Sequence, residues 1–441
     1  MEKTFEKVVK KTLELVSIDS VEGKPCERSP FGEGVADCLD LVCKTAKEMG
    51  MTTKNVDGYY CTCDIGEGEM FGILGHIDVV PYDDDWSANP LGEIKDGYLY
   101  GRGVLDDKGP MMCCLYAVDS LVKEGYKPKY KIRFIFGGNE ESGWRCIEHY
   151  NEVDKMPEKG FSPDGDFPVI NCEKGLVGYD IYMDMPQKLL SIKGGSRGNI
   201  VMAKCTAVLD MALDTDCDDN HIEISVNGGK TYITAYGSPA HASTPWKGDN
   251  AFWHLMRFLK EKVGGEFKDF YTKLCHNDGS GAGIKLSDEK SGALTFNVGV
   301  VNGENLPSTR LYNRKMHIIV DIRHPVSYTK EQIMLMLKEN LGTEEVTVRN
   351  FHNPLYIDKD NELVQKLLAS YNKVMSSDLQ PITIGGGTYA RALKCGVAFG
   401  PIFPDCESTI HQKDERVSLI DFEKMYQIYY SAIKDLLFEK K

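Results

Sequence analysis

No uncharged apolar run in this 441-residue sequence approaches the roughly 18 to 20 residues that a membrane-spanning helix needs, so a helical membrane protein is excluded. Paired C-x-x-C knuckles are missing as well. The 14 cysteines, among them Cys61-x-Cys63 and the adjacent Cys113 and Cys114, are scattered, which excludes a zinc ribbon and does not resemble a disulfide framework. Positive charge is in deficit, with 66 acidic against 52 basic residues and a formal charge of -14. Nucleic acid and anionic membrane are therefore excluded as partners, because both require a basic footprint. Internal repeats and low-complexity tracts are absent too, which excludes a solenoid. The first sixteen residues, MEKTFEKVVKKTLELV, mix both charges and set Phe5, Val8, Val9, Leu13 and Val16 on one helical face. They read as an amphipathic helix rather than a signal peptide. With many free thiols, the expected compartment is the reducing cytoplasm.

What is present is an ordinary globular composition, 42% hydrophobic and 27% charged, over a length that predicts two or three domains. Strands and helices alternate through the first third, with the β-prone run Tyr130 to Phe136 between helical stretches. That alternation predicts an α/β fold with a central, mostly parallel sheet flanked by helices. From about Leu176 to Arg349 the pattern becomes several short strands interrupted by two helices, an α+β character. The last ninety or so residues return to the earlier style. The simplest arrangement is one α/β domain, residues 1–178 and 353–441, interrupted by an inserted α+β domain, residues 179–352.

Polar motifs collect where strands end. His76 and Asp78 close the run MFGILGHID, and a carboxylate two residues beyond a histidine suits an oriented metal ligand. Asp106 and Asp107 lie in GRGVLDDKG just before a helix, where glycines permit a ligand turn and an aspartate equally serves as a helix cap. Glu140 and Glu141 end the strand YKIRFIF, at the carboxyl edge where α/β sheets gather functional groups. Two adjacent glutamates can divide the work, one ligating a metal and the other serving as general base. Asp164 in SPDGDFP and His411 in IHQKDER would each alone be an ordinary turn or a surface charge.

Taken jointly, His, Asp, Glu, Asp and His in loops of one α/β domain suit two divalent ions. One aspartate shared between the ions and one terminal carboxylate on each give three negative charges, and a bridging hydroxide gives the fourth. Without metal, converging carboxylates would cost several kcal/mol for each one left uncompensated.

The segments GHIDVVP, YGRGVLDDKGP, NEES, SPDGDFPVINCEKG, GSPAHASTP, GGGTYAR and HQKDERV together resemble the co-catalytic zinc metallopeptidases related to aminoacylase and glutamate carboxypeptidase, and among them the bacterial PepV-type dipeptidases. The resemblance runs along nearly the whole chain. It implies His76, Asp106 and Asp164 on one ion and Asp106, Glu141 and His411 on the other, with Asp106 bridging and the Asp106–Asp107 peptide bond cis. Asp78 would orient His76, and Glu140 would be the general base. The inserted domain is then a lid like that of the monomeric PepV type, so a monomer is expected. In it, His241 would stabilise the oxyanion and Arg323 would bind the substrate carboxylate. Asn199, Gly386, Gly387 and Thr388 are further substrate contacts implied by the resemblance, although the segment around Asn199 lacks the family's usual proline after the valine.

The function so implied is hydrolysis of dipeptides with a free amino terminus, a small peptide being the substrate. The ions are expected to be zinc, with manganese the second choice, since imidazole and carboxylate admit both. An aspartate at position 164, where deacylases and carboxypeptidases of the family usually carry glutamate, favours a dipeptidase. The alternatives are a zinc deacylase or carboxypeptidase acting on N-acyl amino acids, and a non-catalytic binding protein of the same fold. GGGTYAR lacks the G-x-x-x-x-G-K-[ST] spacing, so nucleotide binding is rejected.

Overall fold

The computed structural model describes residues 2–275, 281–304 and 314–440. The chain forms two compact units, one of Met1–Asn171, Tyr356–Ile382 and Thr388–Lys441, the other of Cys172–Leu355 and Thr383–Gly387.

In the first unit the apolar runs become the strands of a mixed sheet. Met70–His76 lies between Lys131–Gly137 and Lys159–Ser162, and both pairings are parallel. Cys395–Ala398 extends this parallel centre beside Lys159–Ser162. Antiparallel pairing then takes over at the margins: Tyr60–Ile65 joins Lys131–Gly137, and Thr52–Val56 joins Tyr60–Ile65. The parallel sheet expected from the sequence is thus the centre of a larger mixed one. The central strands bury nearly every residue, Met70–His76 from Phe71 onward and Lys131–Gly137 from Ile132 onward, as strands covered on both faces do.

Helices Glu2–Val16, Glu33–Glu48, Lys108–Lys123, Arg145–Val153, Glu362–Met375 and Leu419–Leu437 belong to this unit as well. Lys108–Lys123 is buried along almost its whole length and packs against Glu2–Val16 and Leu419–Leu437. That explains why its sequence, PMMCCLYAV, is apolar all round rather than on one stripe. The closing helix begins at Ser418, whose side chain accepts the amide of Asp421 at 3.0 Å as an N-cap.

The second unit is built on an eight-stranded sheet. Its order is Ile222–Asn227, Lys230–Tyr236, Lys204–Leu209, Leu189–Gly194, Thr295–Glu304, Lys315–His324, Gly175–Asp184 and Val346–His352, and every pairing is antiparallel. Helices Ala251–Lys262, Glu266–Leu274 and Lys330–Leu341 contribute to its apolar core. Helix Lys330–Leu341 opens with a capping box between Thr329 and Gln332.

Candidate metal centre and active site

Three strands of the parallel centre deliver polar side chains at or just beyond their carboxyl ends. His76 is the last residue of Met70–His76, Glu140 and Glu141 follow Lys131–Gly137, and Asp164 follows Lys159–Ser162. Asp106 comes from the turn that precedes helix Lys108–Lys123, and His411 from the loop before Arg416–Ser418. All belong to the first unit.

Donor atoms of His76, Asp106 and Asp164 lie within 4.8 Å of one another, and so do those of Asp106, Glu141 and His411. His76 Nε2 is 2.8 Å from Asp106 Oδ1 and 3.9 Å from Asp164 Oδ2. His411 Nε2 is 2.9 Å from Asp106 Oδ2 and 3.0 Å from Glu141 Oε1. The two oxygens of Asp106 therefore face different imidazoles, which is the disposition of a bridging carboxylate. Ligand atoms at about 2.0 to 2.2 Å from one zinc-sized ion stand roughly 3.2 to 3.5 Å apart, close to these separations. The Asp106–Asp107 peptide bond is cis. His411 has φ 61°, a left-handed backbone uncommon for a residue with a side chain and typical of functional turns.

The electrostatics call for cations. Burial, with Asp106 adding to it, pushes Asp164 up to about 7. Burial and the neighbouring carboxylates likewise raise Glu140 and Glu141. Burial opposes ionisation of Asp106 too, yet hydrogen bonds from His411 and His76 hold it well below the usual carboxylate range. Against burial, Asp106 and Glu141 lift His411 to about 11, and Asp106 and Asp78 raise His76. In the metal-free protein, protons on two imidazoles and on crowded carboxylates supply charge compensation that divalent ions would otherwise supply. The donor set fits such ions: imidazole and carboxylate only, with no thiolate.

Asp78 faces two ways. His76 Nδ1 donates to the backbone carbonyl of Asp78 at 2.9 Å, whereas the Asp78 carboxylate stands 3.5 Å away. That carboxylate instead accepts the amides of Glu140 at 2.9 Å and Glu141 at 3.1 Å, so it braces the turn carrying both glutamates. The reason is positional: the two amides come from the neighbouring parallel strand's end, directly beside the ends of His76 and Asp78.

Two groups escaped the sequence reading. Glu415, fully buried, accepts the amides of Gly103, Leu105 and Asp106 on Oε1 and the guanidinium of Arg102 on Oε2 at 2.7 Å, so the loop of His411 anchors the loop of Asp106. Trp144 donates its indole N–H to Glu140 Oε1 at 3.0 Å. Glu415 stands inside HQKDERV and Trp144 two residues beyond NEES, and adjacency to the predicted ligands was the only signal.

The remaining predicted residues lie in the second unit, except Thr388. His241 Nδ1 accepts the amide of Ser243 at 3.2 Å and lies 2.7 Å from its hydroxyl, which leaves the proton on Nε2. Burial and the charge of Arg323 lower its pKa, so the ring is a neutral N–H donor. Asn199 adjoins it through its backbone carbonyl, which accepts the Ala242 amide. Arg323 is only 2% exposed; its Nε and Nη2 donate to Asp321 and its Nη1 to the Gly385 carbonyl. Its Nε edge is thus committed to Asp321, and only the terminal N–H groups remain for a carboxylate. Gly386 and Gly387 follow that carbonyl, and Thr388 caps the short helix Tyr389–Ala392 through the Ala390 amide.

A further set of metal-type donors, Asp219, His221 and His254, does not form a comparable centre. The two imidazoles are stacked 3.9 Å apart at 6°, so no single point lies in both ring planes. Arg257 already donates to Asp219 and lies 3.1 Å from His254 Nδ1.

A parallel α/β centre whose strand ends and adjoining loops bring together two imidazoles and three carboxylates defines a hydrolase of the divalent-metal class. The chain belongs to peptidase family M20/M25/M40, whose family model matches residues 72–435, and it is a peptide-bond hydrolase. It is 34% identical to "Putative dipeptidase YtjP" of Bacillus subtilis, over 98% of this chain and 97% of that protein. It is 32% identical to "Putative dipeptidase SH1171" of Staphylococcus haemolyticus, over 96% of each chain. Among solved structures, aminopeptidase PepT from Bacillus cereus superimposes with a TM-score of 0.59 at 15% identity, over 97% of this chain and 98% of that one. Human carnosine dipeptidase 1 does so with a TM-score of 0.54 at 14% identity, over 98% of each chain. At these identities the superpositions show a shared fold. Among the described residues no helix is long and apolar enough to cross a membrane.

Proposed function

We propose that the protein hydrolyses dipeptides bearing a free amino terminus, and that it uses two divalent ions, zinc in the first instance. The observation that carries this reading is the two-sided coordination offered by Asp106, with His76 and Asp164 on one side and Glu141 and His411 on the other. When bound, the ions would polarise the scissile carbonyl and acidify a water molecule.

The chain's own groups supply the rest. Glu140 takes a proton from the attacking water and hands it to the leaving nitrogen, a role served by a carboxylate whose affinity for protons burial has raised. Asp78 fixes the backbone from which Glu140 and Glu141 project. His241, with its proton on Nε2, donates to the carbonyl oxygen as negative charge develops there. Arg323 binds the substrate carboxylate through its terminal N–H groups, with Asn199 and the Gly386–Thr388 backbone as further contacts. The dipeptidase names of the 34% and 32% identical relatives and the aspartate at position 164 support the substrate class. Fourteen free cysteines, many of them buried, support the cytoplasm as the compartment. A monomer is proposed by analogy with the PepV type.

The test is a panel of free dipeptides beside the matching N-acetyl amino acids, run on metal-stripped protein reconstituted with zinc or manganese. Turnover of the dipeptides alone is expected. Preferential hydrolysis of the acetyl compounds would overturn the reading in favour of a deacylase.

A further inference from the structure

The carboxylate proposed as proton shuttle hangs on a flexible side chain, and an indole four residues along the chain donates to it. Trp144 Nε1 donates to Glu140 Oε1 at 3.0 Å. Three features hold that indole. Its backbone sits in the left-handed region at φ 63° and ψ 18°, where a bulky aromatic is uncommon, and it forms the N-cap position of helix Arg145–Val153. Its amide donates to Asn139 at 2.9 Å, and its carbonyl accepts the amides of Ile147 and Glu148. Its ring meets Tyr389 edge to face, with centroids 5.1 Å apart and planes at 80°.

Tyr389 is itself closely packed. It is fully buried, its hydroxyl lies 2.7 Å from Cys146 Sγ, and its ring stands edge-on to His76 at 5.9 Å. A side chain on Gly137 would strike the Tyr389 hydroxyl at 2.3 Å, so the glycine at that strand end is what admits the ring. A packed chain therefore runs from His76 through Tyr389 and Trp144 to Glu140.

We propose that Trp144 is a positioning residue for Glu140: its indole N–H fixes Oε1 and so turns Oε2 toward the attacking water. The proposal rests on Glu140 being the general base. The chemistry of the donor suits the task. An indole N–H donates and never accepts, and it carries no charge, so it orients a carboxylate without competing for the proton that the carboxylate must carry. A lysine or arginine at this place would pair with Glu140 and weaken it as a base.

The test separates the N–H from the ring. Trp144→Phe, and replacement of Trp144 by benzothienylalanine, an isostere lacking only the N–H, are compared with the parent on a dipeptide it cleaves. Both are expected to lower kcat by about ten- to a hundredfold, with KM and bound metal little changed. In a Glu140→Ala background the same replacements are expected to have no further effect. Full activity of the benzothienylalanine protein, or an equal additional loss in the Glu140→Ala background, would overturn the proposal. A readout independent of turnover is the indole N–H resonance of Trp144 in protein labelled with nitrogen-15 tryptophan, assigned by its loss in Trp144→Phe. It is expected to move upfield in Glu140→Ala; an unmoved resonance would overturn the proposal even if the protein cleaves no dipeptide, whereas inactivity of the parent with the resonance shifted would count against the dipeptidase reading alone.

Discussion

The carboxylate of Asp78 accepts the backbone N–H of Glu140 at 2.9 Å with one oxygen and that of Glu141 at 3.1 Å with the other. One side chain thereby fixes the backbone of both glutamates, while its own carbonyl sets the tautomer of His76. Asp78→Ala keeps that carbonyl but removes the acceptor of both amides, so it should damage the proposed base and the metal position of Glu141 together. Metal affinity is expected to fall about 10- to 100-fold, as when other supports of metal ligands are removed, with kcat falling as well. Asp78→Asn keeps one acceptor and should lie between the two. Metal titration followed by fluorescence or calorimetry, beside turnover at saturating metal, checks the order.

Glu140 should separate from its neighbour. Glu140→Gln removes the proton acceptor and leaves Asp106, Glu141, Asp164, His76 and His411 intact. Bound metal should stay at the parent's ratio while kcat drops by roughly 10² to 10⁴. Glu141→Gln should lose metal instead. Elemental analysis and initial rates on the same preparations distinguish the two; metal loss in Glu140→Gln, or near-normal turnover, would sink the assignment.

Strands Met70–His76 and Lys131–Gly137 and the polar groups at their ends were legible because each apolar run stops where the chemistry begins, as MFGIL does before His76. Strands Leu189–Gly194 and Lys204–Leu209 and helix Glu266–Leu274 were not. The first runs into Gly194 and Gly195, and the helix follows Gly264 and Gly265, so both read locally as turns, and only pairing within the second unit makes them regular. In the candidate site, ligand-type residues announce themselves by type. The acceptors of backbone amides do not. Glu415 and Asp78 act on loops distant in sequence, over separations of 309 and 62 residues, and no local pattern encodes such bonds.

The metal-free protein should lose stability as pH rises across neutrality. Asp164 is raised from 3.8 to about 7, so the folded form holds its proton more tightly than the unfolded chain. That contribution is complete below pH 3.8 and disappears as pH passes through about 7. His411, raised from 6.5 to about 11, acts in the same direction from pH 6.5 upward. Asp106, lowered, acts oppositely but only in the acid range. Thermal melts of chelated protein from pH 5 to pH 8 should fall steadily, and the gain on restoring zinc should be larger at pH 8. A metal-free melting temperature that rises over this interval would contradict the account.

Arg102 and Glu415 form a buried ion pair at 2.7 Å, with 4% and 0% of the residues exposed. Burial, reinforced by Asp106, pushes Glu415 up to about 7, opposed by the amide of Leu105 and by Arg102. Removing the guanidinium leaves a buried carboxylate against Asp106 with amides as its only support. Arg102→Met is expected to cost about 3 to 5 kcal/mol, the range found when one member of a buried pair is deleted. Glu415→Gln keeps an acceptor for the amides of Gly103, Leu105 and Asp106 but leaves the guanidinium facing a neutral amide, so it should also destabilise. The two differ at the metal. Arg102→Met lowers the denaturation midpoint while Oε1 still anchors the Asp106 turn, so metal affinity at 25 °C should change little. Glu415→Ala removes the anchor itself, and the bridging position of Asp106 should weaken along with the fold. Denaturant melts paired with zinc titrations test this, and equal metal affinity in Glu415→Ala and the parent would show that the turn holds Asp106 without its anchor.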